Sequence, residues 1–388
     1  MNPQIRHVYV HFPYCLHRCN YCDFATTTAK IIPRELYLQH ILTELEIRSQ
    51  SLEFAPLETI FFGGGTPSLW GPQNIAAVLA ALEKRAGFVQ QPEITLEANP
   101  GALEAGDLLA YTQAGIRRVS IGVQALDNAR LRQLDRLHDA ETAHTTLKQL
   151  ANLLQAGQLQ SANADLIFGV PGQTMLELKS DLDALLAYGL PHLSAYALTV
   201  EPGTPLALQV KKGKAPAPED DVQAAMLDAL GPLVQAHGLQ RYEVSNYARP
   251  GQECQHNLAY WTGRYYLALG VGAHGFVPHP GHLGLRYGNT RKNDAWLRAL
   301  GQRELAEEFR EPIDAAQHLD ERLLTGMRLT RGLDLQRLEA DLGTTARQRL
   351  ENNAQKALNR GDIWLNQTHL GVQPNALHRL DGLIAELA

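Results

Sequence analysis

Thr59-Ile60-Phe61-Phe62-Gly63-Gly64-Gly65-Thr66-Pro67 is a short β-branched and aromatic run that ends in three consecutive glycines. The four residues before the glycines read as a buried strand. The glycines read as a turn at its C-terminal end, where backbone N–H and C=O groups can approach a small ligand with no Cβ in the way. The same punctuation recurs along the chain. Residues 6–12, 58–62, 93–97, 118–123, 164–168, 192–199 and 241–245 read as strands, and longer amphipathic runs such as 33–50 and 141–156 read as helices between them. In the second of these helices Leu147, Leu150 and Leu154 share a face, and Gly157 stands where a C-terminal cap belongs.

This alternation predicts an α/β fold with a parallel sheet, either a (β/α) TIM-like barrel, partial or full, or a doubly wound open sheet. The barrel is favoured by where the unusual residues fall. Gly63, Glu97, Gln124, Asp165 and Tyr196 all lie at or just past the C-terminal end of an expected strand, and barrel proteins place their chemistry there. After about Thr290 the pattern turns helical, with a short apolar stretch around Ile363 near the end. The expected organisation is a barrel core at 1–240, a connecting region at 241–300 and a smaller helical C-terminal domain at 301–388. Residues 211–220 (KKGKAPAPED) read as an exposed loop before a helix.

Composition narrows the class of function. Of 388 residues, 45% are hydrophobic and 20% charged, which excludes disordered, collagen-like and coiled-coil chains. The 35 basic and 41 acidic residues leave a net charge of −6, which argues against a nucleic-acid partner held by bulk positive charge. No apolar run approaches the ~20 residues of a transmembrane helix. The first residues lack the pattern of a secretory signal, so a soluble, cytoplasmic protein is expected.

Only four cysteines occur, and Cys15, Cys19 and Cys22 are crowded together while Cys254 stands far downstream. That asymmetry fits a metal site better than a disulfide framework. Three thiolates in a loop after a strand suit a [4Fe-4S] cube held at three corners with one iron left open. A zinc site would need a fourth ligand, from Cys254 or a histidine.

The spacing Cys15-x3-Cys19-x-Tyr21-Cys22 resembles the signature of the radical S-adenosylmethionine (SAM) family. That resemblance implies that SAM chelates the open iron. It implies that Gly63, Gly64, Gly65 and Thr66 cradle the amino end of SAM, and that Tyr9, Glu97, Gln124, Arg136 and Asp165 complete the site. The chemistry agrees: a carboxylate such as Asp165 suits ribose hydroxyls, and Arg136 suits a carboxylate.

The similarity extends over most of the chain, through residues 9–24, RVSIGVQ at 118–124, DLIFGVPGQT at 165–174, HLSAYALTVEPGTPL at 192–206 and YEVSNY at 242–247. It looks like the branch containing oxygen-independent coproporphyrinogen III oxidase, HemN, and the haem chaperone HemW. Phe24 stands where HemN carries a further cysteine, and the first strand begins almost at the start, where HemN has a longer arm. His256-Asn257-Leu258-Ala259-Tyr260-Trp261 matches the HNxxYW motif that resemblance to HemW assigns to haem. An imidazole can ligate haem iron, and Tyr260 and Trp261 offer flat apolar area to a porphyrin. The plain alternative is a helix turn with core aromatics and a hydrogen-bonded histidine. His11, His138, His192 and His274 are further candidate ligands, and Cys254 is either a haem thiolate or a buried thiol.

The resemblance thus implies a haem chaperone carrying a [4Fe-4S] cluster, SAM and haem. Its partners would be acceptor haem proteins, including membrane respiratory enzymes met peripherally or through a partner. The alternatives are a HemN-type oxidase acting on coproporphyrinogen III and a structural zinc protein. SAM cleavage, the second axial ligand of haem and formation of a homodimer are left open.

Overall fold

In the computed structural model, which describes residues 3–101 and 103–388, a run of parallel strands frames the molecule. These are β1 (Ile5–Phe12), β2 (Phe54–Gly64), β3 (Phe88–Ala98), β4 (Arg118–Gln124), β5 (Ser161–Phe168) and β6 (His192–Ala197). Each pairs in parallel with the next in chain order. Parallel neighbours need a crossover, and most of the connections carry helices, among them Arg34–Ser49, Pro72–Ala86, Ala140–Gln155 and Met175–Leu186.

The sheet does not close. Tyr266–Leu269 adds in parallel to the free side of β1, and three antiparallel strands, His274–Val277, Leu285–Asn289 and Glu307–Pro312, continue outward from it. On the other side, β6 is followed by the short antiparallel strands Asn246–Ala248 and Gln240–Arg241. The fold is therefore a partial barrel, with both ends of the sheet left as edges.

The single strand expected at 241–245 is thus two strands with a turn between them. The buried Glu243 makes the turn, its carboxylate accepting from Ser245 N at 3.0 Å and Asn246 Nδ2 at 2.5 Å. The helix expected at 141–156 forms at Ala140–Gln155, capped by Asp139, which accepts from Thr142 N at 2.8 Å, and ended by Gly157 at φ +67°. Leu147 and Leu150 are fully buried, but the next core position is Leu153, with Leu154 only partly covered. The segment expected as a loop before a helix lies between helices Pro205–Lys211 and Asp220–Gln235.

One hydrophobic core fills the barrel and extends to Trp296 and Leu300. A second, from Leu323 to Leu387, belongs to the C-terminal helices. Helices Ala315–Gly326, Leu335–Leu342 and Thr344–Asn353 pack there with a small antiparallel sheet, in which the apolar stretch around Ile363 is the strand Ile363–Leu365. Among the described residues no helix is long and apolar enough to cross a membrane.

Candidate functional site

A cavity of about 640 Å³ opens at the strand ends. Cys15, Cys19, Cys22, Gly64, Gly65, Thr66, Glu97, Gln124, Arg136 and Asp165 all line it, from segments spread over some 150 residues of sequence. The cysteine loop is fixed at both ends. Tyr14–Cys15 pairs with Thr27–Thr28 to close the loop, and Cys22 N donates to Cys19 O at 3.2 Å within it. Two backbone bonds tie the glycine run to the same loop, Gly65 N to Phe12 O at 2.7 Å and Thr66 N to Tyr14 O at 2.9 Å. A Cβ on Gly65 would lie 2.9 Å from Cys15 Sγ and 2.8 Å from the Tyr14 carbonyl oxygen. Only glycine lets these two segments lie side by side.

The three thiols line one cavity in a partly dry setting. Burial, opposed by a hydrogen bond with Thr66 and reinforced by the neighbouring Cys22 and Cys19, pushes the Cys15 thiol up to about 12. Burial likewise raises Cys22. A strong positive centre is what would convert such thiols to thiolates at neutral pH. Among the described residues, no group of three His, Cys, Asp or Glu side chains converges closely enough to hold a single metal ion. A polynuclear cluster, which reaches further than one ion, fits this donor set.

Two half-buried carboxylates line the same cavity. Glu97 accepts from Gly64 N at 3.1 Å. Burial, with Asp165 as a like charge, pushes Glu97 up to about 8. Asp165 accepts from Asn163 Nδ2 at 2.7 Å and lies 3.4 Å from Ser120 Oγ. Burial raises Asp165 too, against hydrogen bonds from Ser194, Asn163 and Ser120 and the charge of Arg118. Arg136 reaches Cys19 Sγ at 3.5 Å, Asn99 Oδ1 at 2.5 Å and Gly122 O at 3.0 Å, and so links the thiol loop to the ends of β3 and β4. Gln124 ends β4 at φ +67°, an uncommon backbone state for a residue with a side chain.

Tyr9 and Gly63 lie one layer below. A Cβ on Gly63 would meet Tyr9 Cε2 at 2.9 Å and Glu97 Oε2 at 3.1 Å, and the Tyr9 hydroxyl bonds His11 Nδ1 at 3.0 Å. Sequence reasoning passed over Asn99, Arg118, Ser120, Asn163 and Ser194, which also line the cavity. A signal for them was present. Arg118, Ser120, Gly122 and Gln124 are every second residue of β4, so its polar set points to one face, into the barrel.

The HNxxYW segment forms the helix Gln255–Trp261, whose N-terminus is held by Glu93 accepting from Gln255 N and His256 N, each at 2.9 Å. Its four named residues do not share a surface. His256 is 1% exposed, with Nδ1 bonded to Thr59 Oγ1 at 2.7 Å and Nε2 to Tyr260 Oη at 2.8 Å. Asn257 faces the large cavity, whereas Tyr260 and Trp261 line a second one of about 240 Å³. His256 is in this arrangement a satisfied core histidine. The other candidates are mostly engaged: His11 with Ala25 O, His138 with Val123 O, and His192 with Asn163 and Tyr242, while His274 is exposed. Cys254 is a fully buried thiol, 3.4 Å from Glu93 Oε1.

Residues 9–185 match the Radical SAM superfamily and residues 313–377 the HemN C-terminal domain. Heme chaperone HemW of Haemophilus influenzae is 39% identical over 296 residues, covering 75% of this chain and 75% of that one. Heme chaperone HemW of Mycobacterium tuberculosis is 35% identical over 347 residues, covering 89% and 86%. The mitochondrial Radical S-adenosyl methionine domain-containing protein 1 of Danio rerio is 36% identical over 335 residues, covering 86% and 74%. Among solved structures, coproporphyrinogen III oxidase (HemN) from Escherichia coli matches with a TM-score of 0.82 at 18% identity, covering 100% of this chain and 90% of that one, a likeness of fold. With a parallel partial barrel, three clustered thiols at its strand ends and relatives of this identity and coverage, the chain belongs to the HemW family of the radical SAM superfamily.

Proposed function

We propose that this protein binds a [4Fe-4S] cluster through Cys15, Cys19 and Cys22, takes SAM in the adjoining cavity, and carries haem to acceptor haem proteins. The observation that carries the first two parts is the gathering of three thiols, a glycine edge and two half-buried carboxylates in one cavity. The third rests on the relatives named as heme chaperones. When bound, the cluster supplies an iron corner with a free coordination position and a source of an electron. The protein's residues do the rest. Gly63–Gly65 expose backbone groups, Glu97 and Asp165 provide carboxyl oxygens that accept hydrogen bonds, and Arg136 holds the cysteine loop and offers a guanidinium to a carboxylate. The barrel core at 1–240 would house this chemistry. The region at 241–300 would bring the haem segment and 301–388 would close over it.

Two predictions concern SAM. Asp165→Ala and Arg136→Ala each remove one charged hydrogen-bonding group, which should cost about 1.5–3 kcal/mol, or roughly 10- to 150-fold in SAM affinity by calorimetry, with iron content unchanged in Asp165→Ala and lowered in Arg136→Ala, which also frees the cysteine loop. Unaltered affinity in both variants would remove them from the site. The second concerns pH. Glu97, pushed up to about 8, holds its proton at neutral pH, so a cationic ligand must displace that proton to use the carboxylate. SAM affinity should therefore fall as pH drops below 8, by up to about tenfold per unit, and Glu97→Gln should flatten the profile. The same shift bears on stability with a definite sign. Between the usual carboxylate range and about 8 the folded chain keeps a proton the unfolded chain has lost, so the contribution of Glu97 to stability falls as pH rises through that window.

For haem, Tyr260 and Trp261 are the assigned contact surface, with Asn257 facing the SAM side. His256 can reach iron through Nε2 only by giving up Tyr260, or through Nδ1 only by giving up Thr59. Acceptors would be haem enzymes, those at a membrane being met peripherally. The deciding experiment is a paired assay on anaerobically reconstituted protein. Haem should be retained at near one-to-one stoichiometry, and coproporphyrinogen III should not be decarboxylated. Repeated turnover of coproporphyrinogen III would replace the chaperone with an oxidase.

A further inference from the structure

The second cavity lies where the helix Gln255–Trp261 meets the C-terminal helix Ala315–Gly326. One wall is aromatic, from Tyr260, Trp261, Tyr266 and Phe276. Tyr260 and Tyr266 meet edge to face at 4.5 Å between centroids. The same lining carries three cations, Arg264, Arg286 and Arg322, of which Arg286 lies over the Phe276 ring. The charges do not balance locally. Glu321, the carboxylate in the lining, is taken by Arg286 at 2.7 Å. The nearby Asp341 is shared by His318 at 3.3 Å and Arg337 at 3.8 Å. Arg322 is only 5% exposed, yet among the described residues its side chain donates to Thr325 Oγ1 alone, at 3.4 Å.

A guanidinium carries five donors, and a buried one left with a single long hydrogen bond is costly unless an anion joins it. Burial and the Arg337 charge, partly offset by Asp341 and Asp334, push the Arg322 guanidinium down to about 10. Other buried polar atoms at this junction also stand without partners: Trp261 Nε1, Arg286 Nε and His318 Nδ1. The pocket thus offers aromatic faces and several donors without protein partners. That combination recognises a planar aromatic molecule bearing carboxylates.

We infer that this pocket receives the propionate-bearing edge of haem, with Arg322 and Arg264 binding the carboxylates and Tyr260 and Trp261 lying against the porphyrin plane. The inference rests on the haem reading above and gives it a location distinct from the SAM cavity. It also explains how Tyr260 and Trp261 can contact haem while His256 stays in the core.

The test compares haem with haem dimethyl ester, which keeps the ring and iron but loses both carboxylates. Wild-type holoprotein should bind haem about 10- to 100-fold more tightly than the ester by absorbance titration. Arg264→Gln, at an exposed position, and Arg322→Met should each lower haem affinity about tenfold and leave the ester unchanged. Should Arg322→Met fail to fold, the ester comparison and Arg264→Gln still decide the matter. If wild type binds haem and the ester equally, or if neither arginine variant changes haem affinity, the propionate pocket is wrong while the chaperone reading stands. If wild type binds neither ligand, both fall.

Discussion

Cys15→Ser, Cys19→Ser and Cys22→Ser should each abolish the broad visible absorption near ~400 nm that iron–sulfur charge transfer produces, together with most bound iron and acid-labile sulfide. The effect is close to all-or-none because each thiol would supply one of three protein bonds to the cluster. His17 and Asp23 line the same cavity, but to replace a lost thiolate His17 would have to leave Asp135 and Asp23 would have to leave Arg291. Cys254→Ser is the internal control. Cys254 does not line the cavity, is fully buried and bonds Glu93, and a serine hydroxyl can donate to the same carboxylate. Its spectrum and iron content should match wild type. Equal loss of iron in Cys254→Ser would overturn the three-cysteine site.

The barrel strands were legible because each carries a dense apolar run, and the partners of a parallel sheet buried on both faces need little else. β4 shows this in RVSIGVQ, where every residue but Gln124 is buried. What the sequence hides is whether the sheet closes, since closure depends on which strand ends meet across space. The strand Tyr266–Leu269 takes the free side of β1, and nothing in its four residues names that neighbour. The turn at Glu243 was hidden for a related reason. A buried carboxylate folding back on its own backbone looks, in sequence, like one polar residue inside a strand.

The candidate site divides in the same way. Residues toward strand ends were found because the barrel collects them at one rim, and Glu97, Gln124 and Asp165 do line one cavity there, joined by Arg136 from the connection between helices Asn128–Gln133 and Ala140–Gln155. The residues deeper inside were missed because Arg118 and Ser120 begin β4 instead of ending it. The period-two pattern that carries them inward is read only once the strand is known to line a cavity. The haem segment shows the opposite limit. Its residues are contiguous in sequence, yet a helix turns successive side chains by about 100°, so His256, Asn257 and Trp261 face different surroundings.

Gly65→Ala should strip the protein of cluster and SAM while leaving its overall fold in place. The added Cβ would stand 2.8 Å from the carbonyl carbon of Pro13, 2.8 Å from Tyr14 O and 2.9 Å from Cys15 Sγ. Two of those three neighbours are backbone and cannot rotate away. They are also pinned: Thr27 N donates to Pro13 O at 2.7 Å, and Gly65 N and Thr66 N donate to Phe12 O and Tyr14 O. The contact is relieved only by moving the cysteine loop away from the glycine run, which carries Cys15 off its position. Overpacking of this kind typically costs about 1–3 kcal/mol, a loss that a chain with a core this extensive should survive. The change should therefore appear mainly in the cofactors, as a several-fold drop in iron per chain with near-native circular dichroism. Gly382→Ala is the matched control. Gly382 lies inside the helix Leu380–Leu387, and an added methyl there would meet nothing within 4 Å, so alanine should keep full iron and gain about 0.5–1 kcal/mol from helix propensity. Wild-type iron content and SAM affinity in Gly65→Ala would show that the glycine run does not abut the cofactor, and the assignment of Gly63–Gly65 as a cradle would fail.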